Sequence, residues 1–223
     1  PQEQIELLPD DLVEFTFHDI STMTLVGERQ LWAGTSSGTL HVFELGSSPS
    51  CNSSFRLKEH SLIKINEPIL SMACRPSEYV FHADSPLTNS GPQTEVLLGV
   101  PYGYIIIFAG AVDQQGRLQE VNKLPRKVVL LTNSSIDCAV NSIVHTTEGT
   151  SETYWCSCGS KIVVLQRRTW QKLQEIDTGA GFPSSSLSHP EVERLLSSEH
   201  GVWSSVANRS TVTLWDRTTP HTT

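Results

Sequence analysis

Cys156 and Cys158 are the residues whose type and spacing come nearest to a metal site in this sequence. One residue separates them, so on a β-strand, where side chains alternate between the two faces, both thiols would lie on one face. Two thiols supply half of a tetrahedral zinc site, and no second pair of Cys or His is spaced to complete it. We therefore expect these cysteines to pack in a core as small apolar side chains, with no metal and no cofactor.

The sequence contains no recognised catalytic motif. Residues 34–39, GTSSGT, have the small side chains of a phosphate-binding loop but lack the lysine and the following helix that such a loop requires. A nucleophile elbow, an H-E-x-x-H zinc motif and a kinase catalytic loop are also missing. His189 and His200 lie near an acidic segment, which favours a polar surface loop over a catalytic pair. We predict no catalytic residue in this chain.

Two residues in predicted turns are candidates for contacting a protein partner. Tyr102 and Arg209 each fall between two predicted strands, and aromatic and Arg side chains on exposed loops are frequent hot spots of protein interfaces. The alternative is that both turns are simply solvated. Trp32, Trp155 and Trp203 occupy matching positions within predicted strands, where a repeated aromatic residue is expected to pack in a core.

A third candidate is a modification site. Residues 81–95, FHADSPLTNSGPQTE, are rich in turn-forming residues and are predicted to be an exposed loop. Within it Ser85 precedes Pro86, the dipeptide of a proline-directed phosphorylation site. A phosphate would add about −1.5 to −2 charges beside Asp84. We predict that phosphorylation extends the loop or recruits a partner that bears arginine.

Composition restricts the class of protein. The 223 residues are 38% hydrophobic and 18% charged, which is typical of a globular chain, and the formal net charge of −8 argues against nucleic acid as a partner. The longest apolar runs are far shorter than the roughly 20 residues of a membrane-spanning helix. Five cysteines at irregular spacing suggest reduced thiols. We expect a soluble, cytoplasmic protein without a membrane span.

The elements that must position these residues come from one repeated hairpin. Two apolar runs are joined by a polar turn, which Gly34 and Gly38 frame in the first copy, and Gly99 and Gly103 keep this spacing in the second. The third copy has a shorter turn and the fourth a longer one. The four copies are LWAGTSSGTLHVFEL (31–45), VLLGVPYGYIIIFAG (96–110), YWCSCGSKIVVLQRR (154–168) and VWSSVANRSTVTLWDRT (202–218).

Further strand-like segments flank the hairpins. STMTLV, EPILSMAC and AVNSIVH precede the first three, and RLKEHSLIKI, KLPRKVVLL and TWQKLQEID follow them. Four-stranded antiparallel sheets repeated at about 40 to 50 residues are the signature of a β-propeller. Helical periodicity is weak throughout, and its best candidate is HPEVERLLSSEH at 189–200. The sequence therefore predicts an all-β propeller.

The blades visible in the sequence make an incomplete propeller. We assign about 20–65, 66–132, 133–178 and 179–219 to blades, 1–19 to a linker or an outer strand of a neighbouring blade, and 220–223 to a tail. The fourth blade stops after its third strand. We expect a partial propeller, the alternative being that residues 3–15 complete the fourth blade and close a four-bladed ring. Because exposed strand edges favour pairing, we expect the isolated chain to self-associate or to be poorly soluble.

Three short segments carry a resemblance to known families. They are a Cys-Gly-Ser-Lys-Ile turn at 158–162, a Gln-Lys-Leu start of an outer strand at 171–173, and a Trp-Asp-Arg-Thr-Thr end at 215–219. With a long insertion before the second hairpin, this order over about residues 20–219 resembles the C-terminal WD-repeat-like propeller of the leucine-rich repeat (Roco) kinases. The C-terminal propellers of Rho guanine nucleotide exchange factors and of JNK-pathway scaffold proteins resemble it nearly as well.

The resemblance implies a non-catalytic interaction module of a large signalling protein. Its partners would be cytoskeletal or signalling proteins, or a second copy of itself. The serine/threonine kinase and GTPase domains of the resembling kinases would lie outside these residues, and so would an exchange-factor region. A propeller enzyme, which would gather acids and histidines around the central channel, is the alternative from another class. The carboxylates here are scattered along loops, which favours the interaction module.

Overall fold

The structure is a computed structural model that describes residues 20–27, 30–47, 55–75, 93–111, 127–132, 138–149, 151–178 and 191–217. These residues form antiparallel β-sheets in which strands adjacent in sequence are adjacent in space. None of the described segments contains a helix of the length and hydropathy that a bilayer crossing requires. The predicted all-β class is confirmed.

Four sheets follow one another along the chain, and we call them blades 1 to 4. Each is a simple meander, with four strands in blades 1 to 3 and three described strands in blade 4. Blade 1 contains β1 (Ile20–Val26), β2 (Gln30–Thr35), β3 (Thr39–Ser47) and β4 (Phe55–Lys64), and blade 2 contains β5 (Ser71–Arg75), β6 (Gln93–Gly99), β7 (Tyr104–Ala111) and β8 (Lys127–Leu130). Blade 3 contains β9 (Ile143–Glu148), β10 (Ser151–Cys158), β11 (Lys161–Gln166) and β12 (Lys172–Asp177), and blade 4 contains β13 (Val192–Ser198), β14 (Gly201–Val206) and β15 (Val212–Trp215).

The second and third strands of every blade are the predicted hairpins, and they pair in one shared register. The cross-strand pairs Leu31 with Phe43, Val96 with Phe108, Tyr154 with Leu165 and Val202 with Trp215 are equivalent in the four blades. We call the connections between these two strands the middle turns. All four middle turns lie at the same end of their blades, because the strands of every blade follow one another in the same order and direction.

Consecutive blades bury one shared apolar core between each pair of neighbours. The core between blades 1 and 2 contains Trp32 and Phe108, whose rings meet edge to face at 6.0 Å. A second core joins blades 2 and 3, and a third, containing Trp155, joins blades 3 and 4. One blade alone cannot bury both of its apolar faces, so the burial of apolar surface between neighbours drives the stacking of the repeated blades. The predicted partial β-propeller is confirmed.

Residues 191–200, the described part of the best helical candidate of the sequence, do not form a helix. Residues 192–198 are β13, which pairs antiparallel with β14 from Val192 opposite Val206 to Ser198 opposite Gly201. The apolar spacing at Val192, Leu195 and Leu196 imitates a helical period. Pairing with β14 and packing of Leu195 on blade 3 outweigh that local pattern.

The repeated glycine spacing has two different physical causes. A Cβ atom at Gly99 would lie 2.2 Å from the Ser71 hydroxyl oxygen and 2.4 Å from the Val140 carbonyl oxygen, so the blades approach too closely there for any side chain. Gly103, in the middle turn of blade 2, has φ of +73°, which L-residues rarely adopt. One glycine therefore permits close packing and the other permits the turn.

Candidate functional sites on the propeller

Tyr102 stands at the tip of the middle turn of blade 2. Residues Pro101–Gly103 form a single 3₁₀ turn in which Tyr102 has φ of +68°, and 57% of its surface is exposed. The turn rests on a fixed base, because the Leu131 N–H donates to the Gly103 carbonyl at 2.8 Å and the Val140 N–H to the Val100 carbonyl at 3.2 Å. A left-handed conformation at a bulky residue is uncommon and is concentrated at functional positions. The turn therefore presents an aromatic ring to solvent from a rigid scaffold.

Arg209 lies in the middle turn of blade 4. Its N–H donates to the Val206 carbonyl at 3.2 Å, and its side chain is half-buried and interacts with the protein. The structure thus places Tyr102 and Arg209 on equivalent turns of blades 2 and 4, with the middle turn of blade 3 between them. Partner binding by either residue stays a prediction. Ser85 lies outside the described residues.

Cys156 and Cys158 lie on one face of β10, in the core between blades 2 and 3. Burial raises the pKa of Cys158 to about 12, and the neighbouring Cys138 thiol adds to the shift. Burial also raises the pKa of Cys156. Both thiols therefore stay protonated and act as packing groups near neutral pH. In the segments that the structure describes, no group of three or more His, Cys, Asp or Glu side chains could hold a metal ion.

An ion-pair network joins blades 2 and 3 at the end opposite the middle turns. Arg75, which ends β5, donates from Nε to Glu152 Oε2 at 2.6 Å and from Nη2 to Oε1 at 3.0 Å. Arg167, which follows β11, donates from Nε to Glu95 Oε2 at 3.0 Å and lies 3.4 Å from Glu152 Oε1. We call Arg75, Glu95, Glu152 and Arg167 the inter-blade network. Two positive and two negative charges balance in it.

Two further side chains extend the inter-blade network. Tyr154 donates its hydroxyl to Glu95 Oε2 at 2.7 Å, and His145 Nε2 lies 3.2 Å from Glu152 Oε2. The Tyr154 ring stacks on Trp170 with centroids 5.3 Å apart, and the Lys127 ammonium of blade 2 lies 5.7 Å from the Trp170 ring centroid. Charged, hydrogen-bonded and cation–π contacts therefore fasten the same two blades.

The inter-blade network shifts the protonation of its members. Burial lowers the pKa of His145 from its usual 6.5; the contact with Glu152 opposes this, and the charges of Arg75 and Arg167 reinforce it. Burial alone would raise the pKa of Glu152, but the hydrogen bonds and charges of Arg75 and Arg167 outweigh it and leave that pKa below 4.5. His145 is therefore neutral and Glu152 ionised near pH 7.

Blade 4 differs from the other blades in the exposure of one face, the face that points away from blade 3. Trp32 and Trp155 lie in inter-blade cores as the sequence predicts, but Trp203 at the equivalent position is half-buried. Leu196 and Leu214 beside it are exposed. No described residue of another blade covers this face, so the side chains that fill a core in blades 1 and 3 contact solvent here.

Comparison with known families agrees with the stacked blades. The family model described as the LRRK2 beta propeller matches residues 10–223. The chain belongs to the LRRK2 beta-propeller family. Blades 1 to 4 all lie inside the match, and so do Tyr102, Arg209 and the inter-blade network. A comparison with curated proteins finds no match.

The inter-blade network is the part of the candidate sites that sequence reasoning missed. Arg75 and Glu152 are 77 positions apart, and Arg167 and Glu95 are 72 apart. No local spacing connects them. One sequence signal could have found them: a charged residue where a predicted inner or middle strand meets its loop, repeated in two successive blades. Arg75, Glu95 and Glu152 all stand at such positions.

Proposed function

We propose that this chain is a non-catalytic docking propeller of a large cytoplasmic signalling protein, most like a leucine-rich repeat serine/threonine kinase that carries a GTPase domain. Membership of the LRRK2 beta-propeller family supports this type of parent protein. The partners would be cytoskeletal or signalling proteins, or a second copy of the propeller. Any kinase or GTPase activity would belong to other domains of the parent.

The position of Tyr102 is the main observation that supports the docking function. Its ring is exposed, and two backbone hydrogen bonds fix the turn beneath it. The turn therefore loses little conformational entropy when a partner covers the ring. Tyr combines a large apolar ring with a hydroxyl group and is enriched at interface hot spots. Arg209, on the equivalent turn of blade 4, would contribute a second contact for a partner that spans blade 3.

The experiment compares the proteins that the unaltered chain and two variants of it capture from a cell extract. We expect Tyr102→Ser to lower the recovery of specific partners about tenfold or more, the effect of a hot-spot loss. Leu173→Ser is the matched control, because Leu173 is an exposed apolar residue on β12, far from the middle turns. Equal recoveries with the unaltered chain and both variants would contradict docking through Tyr102.

The parent families that the sequence resembles can be distinguished by the other domains that the surrounding reading frame encodes. Kinase and GTPase segments upstream would support a leucine-rich repeat kinase. A Dbl-homology region would instead support a Rho guanine nucleotide exchange factor that regulates small GTPases, and a coiled-coil adaptor region a JNK-pathway scaffold. In each case the propeller itself would dock proteins.

A further inference from the structure

The cysteines between blades 2 and 3 include a pair whose side chains touch. Cys158 is the last residue of β10, and Cys138 lies in the connection that leads from blade 2 into β9. Their thiol groups are hydrogen-bonded to each other. Cys158 is 1% exposed, whereas Cys138 is partly exposed. A small molecule in solvent can therefore reach one member of the pair but not the other.

Backbone hydrogen bonds hold the two cysteines against each other. The residues that follow them are paired directly, because the Gly159 N–H donates to the Ala139 carbonyl at 3.2 Å. The next N–H along this connection, that of Val140, donates to the Val100 carbonyl of blade 2 at 3.2 Å. The connection that carries Cys138 is thus attached to both blades, so its contact with β10 is fixed by the fold.

The pair lies directly beneath the middle turn of blade 2. A Cβ atom at Gly103 would stand 3.1 Å from the Cys138 Cβ atom and 3.3 Å from the Cys158 sulfur. Both cysteines therefore pack against the same residue of the turn. The residue before it is Tyr102, the exposed tip of the turn. A movement of either sulfur atom would reach the Tyr102 backbone through one van der Waals contact.

Geometry selects this pair over the two cysteines of β10. A disulfide needs Cβ atoms about 3.5 to 4.5 Å apart. Cys156 and Cys158 are two residues apart on one strand, which separates their Cβ atoms by twice the rise per residue, about 6.6 Å. Cys138 instead approaches Cys158 from a neighbouring segment. Cys156 is therefore a matched control for the chemistry of the pair.

We propose that Cys138 and Cys158 form a reversible disulfide when a hydroperoxide oxidises Cys138, and that this bond displaces the turn that carries Tyr102. The bond length of about 2.05 Å is much shorter than the separation of two hydrogen-bonded thiols, so at least one sulfur atom must move. Disulfides that form in a reducing compartment are transient and serve redox sensing or catalysis. An effect on partner binding would rest on the proposed docking function, whereas the bond itself forms without a partner.

The reaction with hydrogen peroxide balances in two steps, each of which releases one water molecule. In the first, the Cys138 sulfur takes one peroxide oxygen and becomes a sulfenic acid; the O–O bond breaks, and the second oxygen leaves as water. In the second, the Cys158 sulfur attacks the Cys138 sulfur, the S–S bond forms, and the S–O bond breaks. The leaving hydroxyl group takes the Cys158 proton. The two sulfur atoms lose two electrons in total, and the peroxide gains them.

Burial assigns the two roles. Cys138 is the first to be oxidised because its side chain is partly exposed. The Cys158 thiol is buried and keeps its proton near neutral pH, which protects it from oxidants in solvent. Its contact with Cys138 supplies the proximity that the second step needs. The sulfenic acid at Cys138 is therefore consumed where it forms.

The test is peroxide oxidation of the dilute, reduced 223-residue chain. The remaining thiols are then alkylated in denaturant, and the peptides are mapped by mass spectrometry without reduction. We expect a peptide pair joined through Cys138 and Cys158, which dithiothreitol separates again. Labelling of Cys138 by iodoacetamide should be lost after oxidation. A chain that is unfolded before oxidation should give mixed pairings, because the native contact is then absent.

Three variants separate the steps. Cys156→Ala should form the disulfide as the unaltered chain does. Cys158→Ala should stop the reaction after the first step, so that dimedone captures a sulfenic acid at Cys138. Cys138→Ser should give neither product. A sulfenic acid that persists at Cys138 of the unaltered chain overturns the proposal, and so does a mapped bond from either cysteine to any other cysteine, including one of a second copy.

Amide NMR signals of the isotope-labelled chain report on the turn. Oxidation should shift the signals of Tyr102 and Gly103, reduction should restore them, and Cys158→Ala should abolish the shift. Arg209, on the equivalent turn of blade 4, is the internal reference, and its signal should not move. A disulfide that forms without a shift at Tyr102 would show that the turn does not respond to it. Capture of partners by the reduced chain involves no oxidation, so docking through Tyr102 and the disulfide can fail separately.

Discussion

Arg75 and Glu152 form a two-point ion pair across the interface between blades 2 and 3, with N–O distances of 2.6 and 3.0 Å. The Arg75 side chain is only 5% exposed, so this carboxylate compensates a buried positive charge. Bidentate pairs of this kind fix both distance and orientation. The pair therefore determines how two consecutive blades align at the end opposite the middle turns.

Glu152→Ala should destabilise the chain by about 2 to 4 kcal/mol, because it leaves a buried guanidinium without its main acceptor. Chemical unfolding followed by tryptophan fluorescence measures the change. Glu175→Ala is the control: Glu175 pairs with Lys161 and Lys172 at the surface, and its loss should change stability by less than about 1 kcal/mol. Equal effects of the two substitutions would show that the inter-blade network contributes no more than a surface pair.

His145 should make the stability of the fold decrease in mild acid. Its pKa is lowered on folding, so protonation below 6.5 favours the unfolded chain, and its stabilising contribution is present above that pH and is lost as the pH falls through the folded pKa. Glu152 acts in the same direction, but only below its usual 4.5. His145→Gln should flatten the stability profile between about pH 7 and 5. A profile with an unchanged slope there would contradict the assignment.

The hairpins could be predicted from the sequence because their information is local. Gly34 and Gly38, repeated at Gly99 and Gly103, mark a close approach and a turn that the backbone imposes wherever the same blade is built. Alternating apolar residues then define the strands on either side. The glycine pair is present in the first two hairpins, and the alternating apolar residues that all four share account for their common register.

The inter-blade contacts could not be predicted, because they depend on how blades stack. Arg75 and Glu152 belong to two different blades, and which charged strand ends meet depends on how those blades stack. The strand at Val192–Ser198 is a similar case: its local spacing suggests a helix, and only the partner strand decides otherwise. The positions of Tyr102 and Arg209 were predictable as turns, but the left-handed backbone of Tyr102 was not.

Gly99→Ala should be strongly destabilising, by about 2 to 3 kcal/mol, because the new methyl group would overlap Ser71 and the Val140 carbonyl across the blade interface. Gly149→Ala is a matched control: Gly149 has φ of +56° and no atom within 4 Å of the added Cβ, so only the backbone strain of roughly 1 to 2 kcal/mol applies. Thermal unfolding of both variants tests the difference. A larger loss at Gly149 would contradict the close approach at Gly99.

Thiol reactivity should follow burial. Cys138 is partly exposed, whereas Cys156 and Cys158 are buried with raised pKa values, so iodoacetamide at pH 7.5 should modify Cys138 before Cys156 and Cys158. Cys156 and Cys158 should react only after denaturant is added. Peptide mass mapping over time gives the order. Simultaneous modification of all three cysteines in the native chain would mean that the core between blades 2 and 3 opens readily.

The isolated chain should self-associate through the outward faces of its terminal blades. Met23 and Leu25 are exposed on blade 1, and Leu196 and Leu214 are exposed on blade 4, so both ends present apolar sheet surface. Light scattering after size-exclusion chromatography should show a mass that rises with concentration. Replacing Met23 and Leu196 together by Asp should restore a monomer. A monomer at all concentrations that unfolds cooperatively would instead support a closed four-bladed ring.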